Sequence, residues 1–192
     1  MSDPDVPSSP PPPEPSADPE IAHGIYSTGL IVIHTRDEFM LDFLSGLDVP
    51  KLVGRVLATP AHAKRMIRAL MENLARYEHS YGALPPQVEN SRAKPGQVKD
   101  IYSQLQISTH VLGGTFSNSL TVKHAQDVFV MDFIINFPPV AKVNARFSPA
   151  RDIFVASSVS WRTTSRNMKS ASVRLTTAAP SRHKPSSRSG SA

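Results

Sequence analysis

The sequence predicts an α+β fold: a small, mainly antiparallel three-stranded sheet followed by one helix, built twice. Three observations predict it. Short β-rich runs lead into one long amphipathic stripe between Thr59 and Gly82. The same order of residues returns about ninety positions later. Both ends of the chain differ in composition from the middle.

Residues 1–22 hold eight of the 18 prolines and few apolar groups. Such a segment buries too little surface to offset its ordering entropy, so a disordered leader with polyproline II character is expected. Residues 23–83 read as the first domain. Ile25 to His34 is rich in Ile, Val, Tyr and Thr, a strand signature. After a break at Asp37-Glu38, Phe39, Leu41 and Phe43 alternate with Glu38, Met40 and Asp42, which predicts a second strand with one apolar face. Gly46, Asp48 and Pro50 mark a loop, and Leu52 to Ala58 a third strand.

The helix is the clearest signal. Thr59 suits the N-cap and Pro60 the first helical position. Ala63, Met66, Ile67, Leu70, Leu74, Tyr77 and Tyr81 recur at three- and four-residue steps, one apolar stripe on a helix. Gly82 and the Pro85-Pro86 pair end it.

Residues 84–99 read as a linker, and 100–150 as a second copy. Gly24 aligns with Gly114, Ser27 with Ser117, Leu30 with Leu120, His34 with His124, and Asp42-Phe43 with Asp132-Phe133. Arg55 aligns with Arg146 and Pro60 with Pro149. Where the second helix is due, residues 151–192 become a basic, low-complexity tail. The second copy is therefore expected to lack a normal helix, leaving an apolar face with Phe129 and Phe133 uncovered and the fold prone to aggregate. A shifted reading frame explains the change. The codons of Asn167, Met168 and Lys169 read one base out of step give Tyr or His, then Glu, and the neighbouring degenerate codons can spell a string like His62–Gly82. The coding frame is thus expected to shift near residue 150.

Charge follows this division. The chain carries a formal net charge of +5, yet no Asp or Glu follows Asp152, and seven of the 21 Lys and Arg lie beyond it. Residues 1–152 therefore hold 14 basic and 16 acidic groups, a net of −2. The absence of cysteine excludes disulfides, Cys-ligated metals and a thiol nucleophile. With no secretory pattern and no apolar run long enough to cross a bilayer, a cytoplasmic protein without membrane contact is expected.

Few residues point to chemistry. Asp42 and Asp132 stand where a strand neighbour supplies Arg55 and Arg146, so each can form a cross-strand ion pair. An exposed pair of this kind contributes at most ~1 kcal/mol. His34, His62 and His124 lack zinc-ligand spacing, and a positive charge on His62 would oppose the helix dipole, so a neutral imidazole is expected. Phosphate-loop and hydrolase motifs are missing. Lys64, Arg65, Arg68 and Arg76 form a basic helix face, diluted by Glu72 and Glu78.

Tyr26-Ser27, His34, Glu38-Phe39-Met40-Leu41-Asp42-Phe43, Arg55-Val56, Pro60-Ala61-His62-Ala63-Lys64 and Tyr77-Glu78-His79-Ser80-Tyr81-Gly82 follow one another as a set of motifs. This set resembles the bacterial domain-of-unknown-function family 3467. The second copy follows the pattern from Phe116-Ser117-Asn118 to Pro149. The resemblance implies no catalytic residue and no cofactor. The expected function is a non-catalytic protein-interaction or assembly module with a protein partner or a second copy. The alternative is a nucleic-acid-binding regulator using the helix face or the tail. Asp42, Arg55, His62, Lys64, Arg68, Asp132 and Arg146 are the interaction candidates.

Overall fold

A computed structural model describes residues 15–46, 49–84, 102–151, 153–154 and, for the backbone alone, 172–177. The leader to residue 14, most of the linker and most of the tail lie outside the described residues. The first half contains β1 (Ser16–Ala17), α1 (Pro19–Ala22), β2 (Ile25–Ser27), β3 (Gly29–His34), β4 (Phe39–Ser45), β5 (Lys51–Ala58) and α2 (Pro60–Tyr81). The second contains β6 (Gln106–Ile107), α3 (Thr109–Leu112), β7 (Thr115–Phe116), β8 (Ser119–His124), β9 (Phe129–Phe137) and β10 (Val140–Pro149). A last strand, β11 (Ser172–Thr177), follows.

The class is α+β, but the sheets are larger and mixed. In the first sheet β3, β4 and β5 form an antiparallel meander, with β11 antiparallel on β3 and β6 and β7 parallel on β5. In the second, β8, β9 and β10 form the same meander, with β1 and β2 parallel on β10. The expected three-stranded sheet is corrected to these two because each half sends its leading strands to the far edge of the other half's sheet. The expected strand Ile25–His34 is divided for the same reason. Ser27 Oγ donates to Gly29 O at 2.8 Å and to Leu44 O at 3.0 Å, turning the chain at Thr28 from one sheet into the other. Ser16–Ala22, expected in the leader, carries β1 and α1.

Helix α2 forms as its sequence predicts. Thr59 Oγ1 accepts from His62 N at 3.3 Å, Pro60 occupies the first turn, and Gly82 closes the helix at φ 88°. Its buried residues are Ala63, Met66, Ile67, Leu70, Leu74 and Tyr77, whereas Tyr81 remains exposed. The stripe is buried against the second half. Tyr77 packs on Phe129 with ring centroids 4.8 Å apart and donates its hydroxyl to Gln126 O at 2.8 Å.

The two halves share one core. Phe43 of β4 stacks on Phe147 of β10 at 3.8 Å and meets Phe133 of β9 edge-on at 5.7 Å. The uncovered face expected around Phe129 and Phe133 is therefore corrected: both are fully buried. Phe154 also stacks on Phe129, at 3.9 Å. Phe154 N bonds Ala150 O at 3.0 Å, and the residues directly after it, where the second helix is due, lie outside the described residues. A smaller cluster of Ile31, Leu44 and Leu52, backed by Leu105, Ile107 and Val111, covers the other face of the first sheet. The single apolar face expected for the second strand is corrected accordingly, because residues 102–112 fold over it.

Candidate functional site

The polar chemistry inside the fold is concentrated in two matching Arg–Asp pairs. On neighbouring strands Asp42 and Arg55 stand in register, as do Asp132 and Arg146. Arg55 Nε donates to Asp42 Oδ1 and Nη2 to Oδ2, both at 2.7 Å. Arg146 Nε donates to Asp132 Oδ1 at 2.5 Å and Nη2 to Oδ2 at 2.9 Å. These are two-pronged, charge-assisted contacts. The exposed pair expected from the sequence is corrected by burial: the Asp42 side chain is 0% and that of Asp132 5% exposed. Residues of the opposite half make the difference.

Each arginine also crosses to the other half's leading segment. Arg55 Nη1 donates to Leu112 O at 3.1 Å, and Arg146 Nη1 donates to Ala22 O at 2.8 Å. These carbonyls end α3 and α1, the short helical turns before β7 and β2. Gly114 and Gly24, two residues on, take φ +66° and +67°. A Cβ at either would lie 2.9 Å from Cγ of the arginine that grips it. Glycine is needed there for both the left-handed backbone and the close approach.

The first pair has an extra member that the sequence reading missed. Tyr102 donates its hydroxyl to Asp42 Oδ2, and its ring lies 6.0 Å from the Arg55 guanidinium carbon. Burial, then the bond to Asp42, raises the tyrosine well above its ordinary pKa. The bonds to Asp42 raise Arg55, with burial opposing them, and those to Asp132 raise Arg146 likewise. Tyr102 stands among Ser103, Gln104 and Leu105, where no alternation or motif signals a buried partner.

A cleft of about 310 Å³ lies between the pairs, lined by equivalent residues of both halves. Val53 and Asn144 face it, and both are β-bulges. The β4–β5 register passes from Phe43↔Gly54 to Leu44↔Leu52, omitting Val53, and the β9–β10 register omits Asn144. A bulge re-aims an edge strand and interrupts its pairing. The outer edge of β5 pairs at Lys51–Leu52 and at Val56–Leu57, leaving residues 53–55 without a strand partner among the described residues. On β10 the equivalent gap covers residues 144–146.

The remaining candidates stand apart. His62 lies in the first turn of α2, its ring centroid 5.8 Å from that of Phe116, and burial followed by the charge of Arg65 lowers its pKa. Lys64 and Arg68 project from the exposed face of α2, where Arg68 meets Glu72 at 3.5 Å. The structure thus brings Asp42 to Arg55 and Asp132 to Arg146, and leaves His62, Lys64 and Arg68 outside the cleft lining. Among the described residues no three His, Asp or Glu converge as metal ligands, and no helix is long and apolar enough to cross a membrane.

Residues 1–85 match the model of a family described as protein of unknown function, DUF3467. Over this stretch the chain is similar to that family. The DUF3467 match contains Asp42, Arg55 and all of α2, whereas Asp132 and Arg146 lie beyond it. No curated protein and no solved structure matches the chain.

Proposed function

We propose that the protein is a non-catalytic interaction module that takes up an extended segment of a protein partner along strand edges. The observation that supports this most directly is the behaviour of β5 and β10. Each already accepts two short segments of the other half in parallel register, and both keep a stretch beside the cleft that has no strand partner on its outer edge among the described residues. Strand addition of this kind draws affinity from main-chain hydrogen bonds and selectivity from alternate side chains. The arginines are not free for a reaction, since each binds a carboxylate and a backbone carbonyl. We further propose that the chain is a tandem of two like units, as the paired bonds of Arg55 and Arg146 suggest, and that it works in the cytoplasm.

Selection of a displayed random-peptide library on the full chain tests the reading. Selected peptides should bind equally at 50 and 500 mM salt and lose binding at least tenfold in Ala145→Lys, which places a charge in the cleft. A second reading has its own support: Lys64, Arg65 and Arg76 lie exposed along one helix. Binding of a 20-mer DNA or RNA duplex that weakens more than tenfold between 50 and 200 mM salt, with no peptide selected, would favour that reading instead.

A further inference from the structure

The strands β3 and β8 occupy equivalent places, each at the outer edge of its meander. Their outer edges are treated differently. β3 carries β11 in antiparallel register, with Leu30 opposite Thr176 and Val32 opposite Arg174. β8 pairs only with β9 among the described residues. β11 shows that an edge in this position accepts an antiparallel strand while the sheet's inner face stays packed. The described chain supplies one such strand and has used it on β3.

We propose that β8 pairs with β8 of a second copy of this chain, antiparallel about a two-fold axis through Thr121. This goes beyond the uptake of a partner segment proposed above and names a surface separate from the cleft. The side-chain pattern selects the register. Leu120 and Val122 are buried toward the core, 8% and 7% exposed, whereas Thr121 and Lys123 face outward. Residues directly opposite in an antiparallel pair share a face, so a self-pairing that keeps apolar with apolar must centre on a single residue. Centring on Thr121 sets Leu120 opposite Val122 twice, on the core side. On the outer side it sets Thr121 opposite Thr121 and Ser119 opposite Lys123. Thr–Thr is a favourable cross-strand pair, and the two Lys123 charges are kept apart. Centring on Val122 instead sets Leu120 against His124, a poorer match. The axis through Thr121 gives an isologous contact that joins the two second sheets into one continuous sheet.

The absence of cysteine makes the register directly testable in the full chain. Thr121→Cys places two thiols opposite each other at Cβ separations of about 4.5–5.5 Å, within reach of a disulfide after slight adjustment. Ser80→Cys, exposed on α2, is the control. The expected result is a dimer by light scattering in the parent chain, at least tenfold faster oxidative cross-linking of Thr121→Cys than of Ser80→Cys, and a shift to monomer in Thr121→Lys. A chain that stays monomeric at every concentration overturns the proposal. So does a dimer in which Thr121→Cys cross-links no faster than the control. Either result leaves the cleft reading to its own peptide test, so the two fail separately.

Discussion

The ring of Phe147 fills the space that a side chain on Gly54 would need. A Cβ built on Gly54 would lie 2.4 Å from Phe147 Cζ and 2.6 Å from Cε1. Gly54 belongs to the first half and Phe147 to the second, so this contact decides how closely the two sheets approach. Gly54→Ala should destabilise by about 3 kcal/mol, the upper part of the usual range for overpacking. Urea unfolding read by the ring signals of both halves checks it, and a single shared transition is expected because Phe43, Phe133 and Phe147 form one cluster.

Removing one partner of the buried pair should cost more than an exposed pair could. Asp42→Ala leaves Arg55 without its carboxylate at a site of 12% side-chain exposure and takes an acceptor from Tyr102. A loss of about 3–5 kcal/mol is expected. The double variant Asp42→Leu with Arg55→Met should recover part of it, because no buried charge is then unpaired. Equilibrium denaturation of the single and double variants gives both values.

Gly24→Ala and Gly114→Ala should each cost about 1–2 kcal/mol from the left-handed backbone alone. The added Cβ also meets the gripping arginine. The two losses should agree closely, since the surroundings of the glycines correspond. A loss at one position with none at the other would show that one leading segment docks differently from the structure described. Denaturation midpoints are the readout.

Tyr102 and His62 both contribute to the pH dependence. Burial and the Asp42 bond raise Tyr102, so the folded state keeps a proton that the unfolded chain releases near pH 10. Stability should be fully present below that pH and fall as pH rises beyond it; Tyr102→Phe should remove this part of the decline. His62 behaves oppositely. Its pKa is lowered, so its contribution is present above the unfolded value near 6.5 and fades as pH falls through that value toward the folded one. Thermal midpoints from pH 5 to 8 should drop less on acidification in His62→Gln than in the parent.

What could be read from the sequence was local. The α2 stripe needed only helical spacing, and the Asp42–Arg55 match needed only two neighbouring strands. Parallel pairing of Ile25 with Phe147 leaves no mark on either segment, because the partner is far along the chain and the pairing lasts three residues. The same distance hid the burial of Asp42. Tyr102 reaches it from a segment whose composition resembles a loop. The aromatic residues of the second half are apolar as the sequence indicates, but Phe129 is covered by α2 of the first half and Phe133 and Phe147 by Phe43 of β4. Gly24 and Gly114, each repeated with an arginine downstream, were the available trace of the crossed arrangement.

The crossing also orders events during synthesis. β2 emerges early, but its place on the second sheet does not exist until Phe147–Pro149 has been made. At cellular elongation rates that interval is on the order of ten seconds. The N-terminal segment must therefore remain unplaced until the chain has been extended through Pro149, and α2 must likewise wait for β8 and β9 before its stripe is covered. Nascent chains halted before β10 should consequently be the ones that engage chaperones, because β10 is the strand on which β1 and β2 find their place.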